Sequence, residues 1–216
     1  MAEDPNIFLD KLVDDLKPVE PLRQRVGMGW ALTALVASAF SAVLLMGIRH
    51  DVLAAKPDPM FLMSSGLFLV LALASGWAAL DMALPYVGTR RDGWGWTALM
   101  AAVLPIAALF QIGGELIHGH ASSFDEHGAN CMVSGILASV FTAAALTVWL
   151  RRGAPSSPER AGLLTGVAAG AAGIFAVSLY CPNNSLLHIG IWHGATVVLM
   201  GIAGRALLPA LLQKPF

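Results

Sequence analysis

The sequence predicts an all-α membrane protein with six transmembrane helices, both termini in the cytoplasm, and a short cytoplasmic amphipathic helix at the amino end. Three observations predict it. Apolar residues make up 56% of the 216 positions and charged residues only 12%, too little charge to cover the surface of a water-soluble domain. The apolar residues fall into six stretches, each close to the roughly 20 residues that cross a bilayer as a helix. The basic residues, finally, are distributed very unevenly between the two sides those stretches define.

The six stretches run from Arg25 to Ile48, Met60 to Leu84, Trp94 to Gly113, Cys131 to Leu150, Ala161 to Tyr180 and Leu187 to Leu208. Their lengths fit helices and not strands. Turn-forming residues separate them, at Lys56 to Pro59, Gly88 to Gly93, Gly153 to Pro158 and Pro182 to Ser185. With both ends inside, the inner segments hold Lys11, Lys17, Arg23, Arg25, Arg90, Arg91, Arg151, Arg152, Arg160, Arg205 and Lys214, eleven of the thirteen basic residues. Only Arg49 and Lys56 are left outside, and cytoplasmic loops are the ones that carry such an excess. The amino terminus has acids where a secretory signal needs basic residues, so the chain reads as an uncleaved protein of a bacterial inner membrane. Glycines recur every four residues at 162, 166 and 170 of the fifth stretch and at 190 and 194 of the sixth, predicting close packing of those two helices. Beyond three successive hairpins there is no internal repeat.

Net charge is −1, and with no basic patch nothing points to nucleic acid. The chemistry gathers on the outer side. Cys131 opens the fourth helix and Cys181 closes the fifth, so the two can meet. His50, His118, His120, His127, His188 and His193 also fall outside or just within, with His193 roughly 9 Å below the outer end of its helix. Unpaired amides at the start of a helix would stabilise a Cys131 thiolate, and Pro182 fixes the direction in which the chain leaves Cys181. Thiolate with imidazole suits zinc, copper or heavier thiophilic ions and not calcium or magnesium. Cys131 and Cys181 are therefore the candidate metal ligands, with His118, His120, His127 and His188 as further candidates and Glu115, Asp125 and Glu126 as neighbouring support. His127 and Cys131, four apart, share a face if the helix reaches back that far. The competing reading of the same pair is a structural disulfide. No permanent cofactor is expected, only a transient metal ion at the two cysteines.

At the other end of the chain, Asp4 can cap a helix, Pro5 suits its first position, and Pro18 stops it. Phe8, Leu9, Leu12, Val13 and Leu16 form one apolar stripe, with Asp10, Lys11, Asp14 and Asp15 facing away. Membrane-surface helices prefer a basic polar face. This acidic one fits better as a helix that docks in a partner's groove. Residues 1–24 thus form a tail, and residues 25–216 a membrane domain.

The run Leu12-Val-Asp-Asp-Leu16-Lys-Pro18-Val19-Glu-Pro21-Leu22, followed by six apolar helices with one cysteine at the outer start of the fourth and one after the fifth, resembles the NrsF-type negative regulators of extracytoplasmic-function sigma factors. The resemblance covers essentially the whole chain. It implies an anti-sigma factor whose tail, through Phe8, Leu9, Leu12, Val13, Leu16, Pro18 and Val19, holds a sigma factor at the membrane. It also implies that Cys131 and Cys181 sense a toxic metal or an oxidant.

Two other classes compete with that reading. A small metal or solute transporter would place ionisable residues near the middle of the membrane, whereas Asp81 and Glu115 lie near helix ends. A thiol oxidoreductase would need a second cysteine pair or a C-x-x-C, which the sequence lacks. No nucleophile, base or phosphate loop indicates another enzyme. The sequence leaves open the oligomeric state, the sigma factor and the resting redox state of the cysteines.

Overall fold

The computed structural model describes residues 13, 22–84, 93–117, 127–153 and 155–212. The amphipathic tail helix therefore lies outside the described residues, apart from the exposed Val13.

Helix α1 spans Gln24–Met46 and ends at Gly47, whose φ of 85° lets its N–H reach back to the Val43 carbonyl. That left-handed conformation is one that glycine adopts at little cost. A single turn, α2 (His50–Leu53), leads to α3 (Pro59–Asp81). Asp58 caps α3 by accepting from the amides of Met60 and Phe61, and Pro59 takes the first helical position, where no N–H is needed. Helix α4 is Gly93–Ile117, α5 Gly128–Arg151 and α6 Pro158–Ser178. The last span runs continuously from α7 (Leu186–His188) through a π turn (Ile189–His193) into α8 (Gly194–Leu212). Six of these helices are long and apolar enough to cross a membrane, and there is no strand among the described residues. Each predicted span is present, with ends shifted by a few residues.

Helix α6 is the hub. Over its apolar stretch 89% of the residues are buried, against 11% for α1 and 13% for α4, so the latter two lie at the periphery of the bundle. The hub is built from small residues. A Cβ at Gly162 would strike the Gly204 carbonyl, one at Gly166 the Met200 carbonyl, and one at Gly170 would come within 2.9 Å of Met200 and Val197. Without those side chains the α6 and α8 backbones approach closely, as glycine spacing allows in lipid. The predicted pairing of fifth and sixth spans therefore holds. Its counterpart surface, however, is Val197 to Gly204, further along the last span than Gly190 and Gly194. Gly173 performs the same service toward α5, meeting the Gly135 carbonyl.

Packing does not follow the first two hairpins: α1 lies chiefly against α5, and α3 against α6, while α5 and α6 also pack along one another. At the end of the bundle away from the cysteines, Gly27 of α1 leaves room for the Trp149 ring of α5. There Trp30 meets Trp149 edge-on at 6.2 Å, and the Arg152 guanidinium sits 4.6 Å above the Trp30 ring. Glu159 and Arg205 form an exposed ion pair at 3.1 Å between the starts and ends of α6 and α8.

Candidate thiol–imidazole site

Three chain segments converge at the opposite end. Cys131 lies one turn into α5, Cys181 three residues beyond the end of α6, and His188 and His193 bracket the π turn of the last span. All four side chains are buried. The Cys131 thiol donates to the Cys181 sulfur at 3.5 Å, and the Cys181 sulfur is 3.4 Å from Nε2 of His188. The two imidazoles pack edge to face, 4.9 Å between centroids, and Phe68 of α3 closes the far side of His193 at 6.2 Å. A cavity of about 410 Å³ opens beside the pair, lined among others by Met46, His127, Ser134, Tyr180 and Pro182.

The thiol of Cys181 is held well below its ordinary range. The hydrogen bond from Cys131 is the main cause; burial works against it, and the bond with His188 assists. Helix α5 begins at Gly128, three residues before Cys131, and the Cys131 N–H is already bonded to the His127 carbonyl. Cys181 lies outside the helix, and hydrogen bonding rather than a helix terminus lowers its thiol.

Arg49 holds that thiol's segment in place. Its side chain is only 6% exposed. One terminal nitrogen donates to the Cys181 carbonyl at 2.8 Å and to Oδ1 of Asn184 at 2.9 Å. Nε and the other terminal nitrogen grip both Asp51 carboxylate oxygens at 2.7 Å, and the guanidinium lies 4.5 Å above the Phe61 ring. The Arg49 amide also donates to the Leu179 carbonyl. A planar five-donor group can make such a set of contacts and an ammonium cannot. Asp51 is thereby kept far below the usual carboxylate range, first by the hydrogen bond from Arg49 and further by the Asp58 and Val52 amides. Ser185 completes the turn, its hydroxyl accepting from the His188 N–H and starting α7.

Of the sequence candidates, Cys131, Cys181 and His188 meet. His127 lines the cavity but is not part of the buried group of four, and His50 is exposed on α2. His118, His120, Asp125 and Glu126 lie outside the described residues, as do Phe8, Leu9, Leu12, Leu16, Pro18 and Val19; of Glu115 only the backbone is described. Sequence reasoning set His193 aside. The available signal was that it follows His188 by five residues in a glycine-flanked segment. In an α-helix that spacing points two side chains about 140° apart. The wider π turn brings them back to one side.

Fold and site together define a helical protein with six helices long and apolar enough to cross a membrane and a buried dithiol–imidazole centre at one end. The chain belongs to the NrsF family, negative regulators of sigma F, which it matches over residues 12–213. It is 27% identical over 199 residues to a probable anti-sigma-F factor NrsF of Azospira oryzae, covering 91% of each chain. It is 26% identical over 186 residues to the anti-sigma-F factor NrsF of Caulobacter vibrioides, covering 81% of this chain and 83% of that one. No solved structure matches it. The family is regulatory rather than enzymatic.

Proposed function

We propose that this chain is an anti-sigma factor of the bacterial inner membrane. Its cytoplasmic tail, residues 1–24, sequesters an extracytoplasmic-function sigma factor, and the Cys131–Cys181 pair on the periplasmic side receives a thiophilic metal or an oxidant that triggers release. Family membership supports the regulatory role. The observation that carries the sensing role is the geometry of the pair: two buried sulfurs 3.5 Å apart, one of them activated, beside a cavity.

Basic residues at 11, 17, 23 and 25 and on the loops facing them support a cytoplasmic tail. The acidic, apolar-striped tail supports docking in a groove through Phe8, Leu9, Leu12, Val13, Leu16, Pro18 and Val19. Coupling between the two ends requires two helix packings with unequal affinity for the signal. A near-complete switch needs a differential of about 5.5 kcal/mol, within the range that thiolate coordination supplies. The hub helix α6 supports such coupling, since it ends just before Cys181 and packs closely on α8 from Gly162 to Gly170.

The test is transcription of sigma-dependent genes in cells carrying Cys131→Ser or Cys181→Ser. Loss of induction by metals and oxidants is expected, with the sigma factor still bound at rest. Full inducibility in both variants removes the sensing role. A companion pull-down from membranes uses Leu12, Leu16 and Val19 changed together to aspartate; undiminished capture of the sigma factor refutes docking through the tail.

A further inference from the structure

We propose that Cys131, Cys181, His188 and His193 form one closed Cys2His2 site for a divalent ion of the zinc class, with His193 as the fourth ligand. The proposal rests on the thiol pair being the receiving site, and it specifies the donor set and the kind of ion.

The first support is distance. One ligand atom from each of the four residues lies within 4.8 Å of all the others. Bond lengths of about 2.3 Å to sulfur and about 2.0 Å to nitrogen, at tetrahedral angles, separate two sulfurs by about 3.8 Å and sulfur from nitrogen by about 3.5 Å. The observed separations are 3.5 Å between the sulfurs and 3.4 Å from Cys181 to His188 Nε2. Seating an ion changes these two separations by only a few tenths of an ångström.

The second support is an unmet polar atom. His193 is 2% exposed, and its Nε2 makes no well-formed hydrogen bond although the ring lies beside the Cys181 sulfur. Buried imidazole nitrogens are normally satisfied, and one that is not calls for a specific explanation. A bound cation beside it supplies that explanation.

The third support is backbone. A π turn within a membrane helix gives up regular i→i+4 bonding, and such turns concentrate at functional sites. Here it spans Ile189–His193 and brings His188 and His193 onto one side, ring against ring. The donor set then selects the ion. Two thiols with two imidazoles match the tetrahedral preference of zinc and are a poor cage for calcium or magnesium. Four protein donors leave no open position, so the bound ion would hold structure rather than activate water. It would tie the start of α5, the exit of α6 and the head of the last span to one point.

The experiment uses the reduced full-length chain in detergent micelles, titrated with cobalt(II) and then zinc. One cobalt ion per chain is expected, with sulfur-to-cobalt charge transfer in the near ultraviolet, strong tetrahedral absorption in the visible, and loss of both on adding zinc. His193→Ala and His188→Ala should each weaken binding by more than the roughly 10–100-fold that loss of an outer-shell group costs, and should abolish the tetrahedral bands. His193→Cys should restore stoichiometric binding with added charge-transfer intensity, which separates lost ligation from misfolding. His127→Ala should bind as the parent does. No binding by the parent, or unchanged tetrahedral bands in His193→Ala, overturns the proposal. If the parent fails to bind while the serine variants still lose induction in cells, the site falls and the anti-sigma reading stands with an oxidant as signal. If binding is as described but induction survives the serine variants, the site stands and the sensing role falls.

Discussion

Arg49→Ala isolates the part played by the clamp around Cys181. In the folded protein Cys181 is 2% exposed, so a thiol reagent reaches it when the turn from Leu179 to Ser185 opens locally. The substitution removes charge-assisted hydrogen bonds to the Cys181 carbonyl and to Asn184 and the stacking on Phe61. A hydrogen bond to a charged donor is worth about 1.5–3 kcal/mol, and a partly desolvated cation–π contact about 0.5–2 kcal/mol. Neighbouring contributions do not simply add, so about 3 kcal/mol is a fair value for the clamp. At about 1.4 kcal/mol per factor of ten, local opening becomes roughly 100-fold more frequent. The assay is the labelling rate of Cys181 by a maleimide, read by peptide mass spectrometry on protein in micelles. A roughly 100-fold acceleration is expected in Arg49→Ala. Arg49→Lys should fall between, because lysine keeps the charge but cannot reach the Cys181 carbonyl, Asn184 and Asp51 at once. Labelling of Arg49→Ala within about threefold of the parent, on the same scale of tenfold per about 1.4 kcal/mol, would show that the clamp does not govern access to the thiol.

Other expectations concern the scaffold. Gly166→Val places branched carbons against the Met200 carbonyl and should destabilise the chain by at least the roughly 1–3 kcal/mol typical of overpacking, seen as a lower thermal midpoint in micelles. Gly29→Ala, where a Cβ meets nothing within 4 Å, should leave that midpoint level or raise it, since alanine favours a helix by roughly 0.5–1 kcal/mol. Asp58→Ala removes the cap of α3 and should cost about 0.5–2 kcal/mol in the same measurement. Asp51 is held below its ordinary value of 3.8 by Arg49. Its ionised form therefore favours the fold at every pH above that value, and the contribution is lost as pH falls further toward the lowered value. The thermal midpoint of the parent should accordingly drop more steeply below pH 3.8 than that of Asp51→Asn; parallel profiles would show that the Arg49–Asp51 pair does not contribute.

Much of the architecture could be read directly because lipid makes the rule simple. A span must satisfy its own backbone hydrogen bonds and be apolar over a fixed thickness, so length and composition sufficed to locate all six. The convergence of Cys131 and Cys181 was equally legible, since strict alternation of the spans puts both at the same end. Small-residue spacing on α6 announced a close neighbour. Which residues of the last span form that neighbour's surface was not announced, because register along two smooth helices depends on where every other helix sits.

The opening topology, six spans with thiols gathered at one end, belongs to the sequence alone, because span length, hydropathy and chain alternation are properties of local composition. Only the tertiary structure decided what surrounds those thiols. Arg49 is distant in sequence from Cys181 but bonds its carbonyl, and nothing in a lone basic residue between two spans reveals that it is buried. His193 reaches the site through a π turn, a departure from regular helical spacing that no periodicity argument contains. In both cases the cause is the same: a site formed by three converging segments is fixed by the packing of those segments, and that packing is a property of the whole bundle.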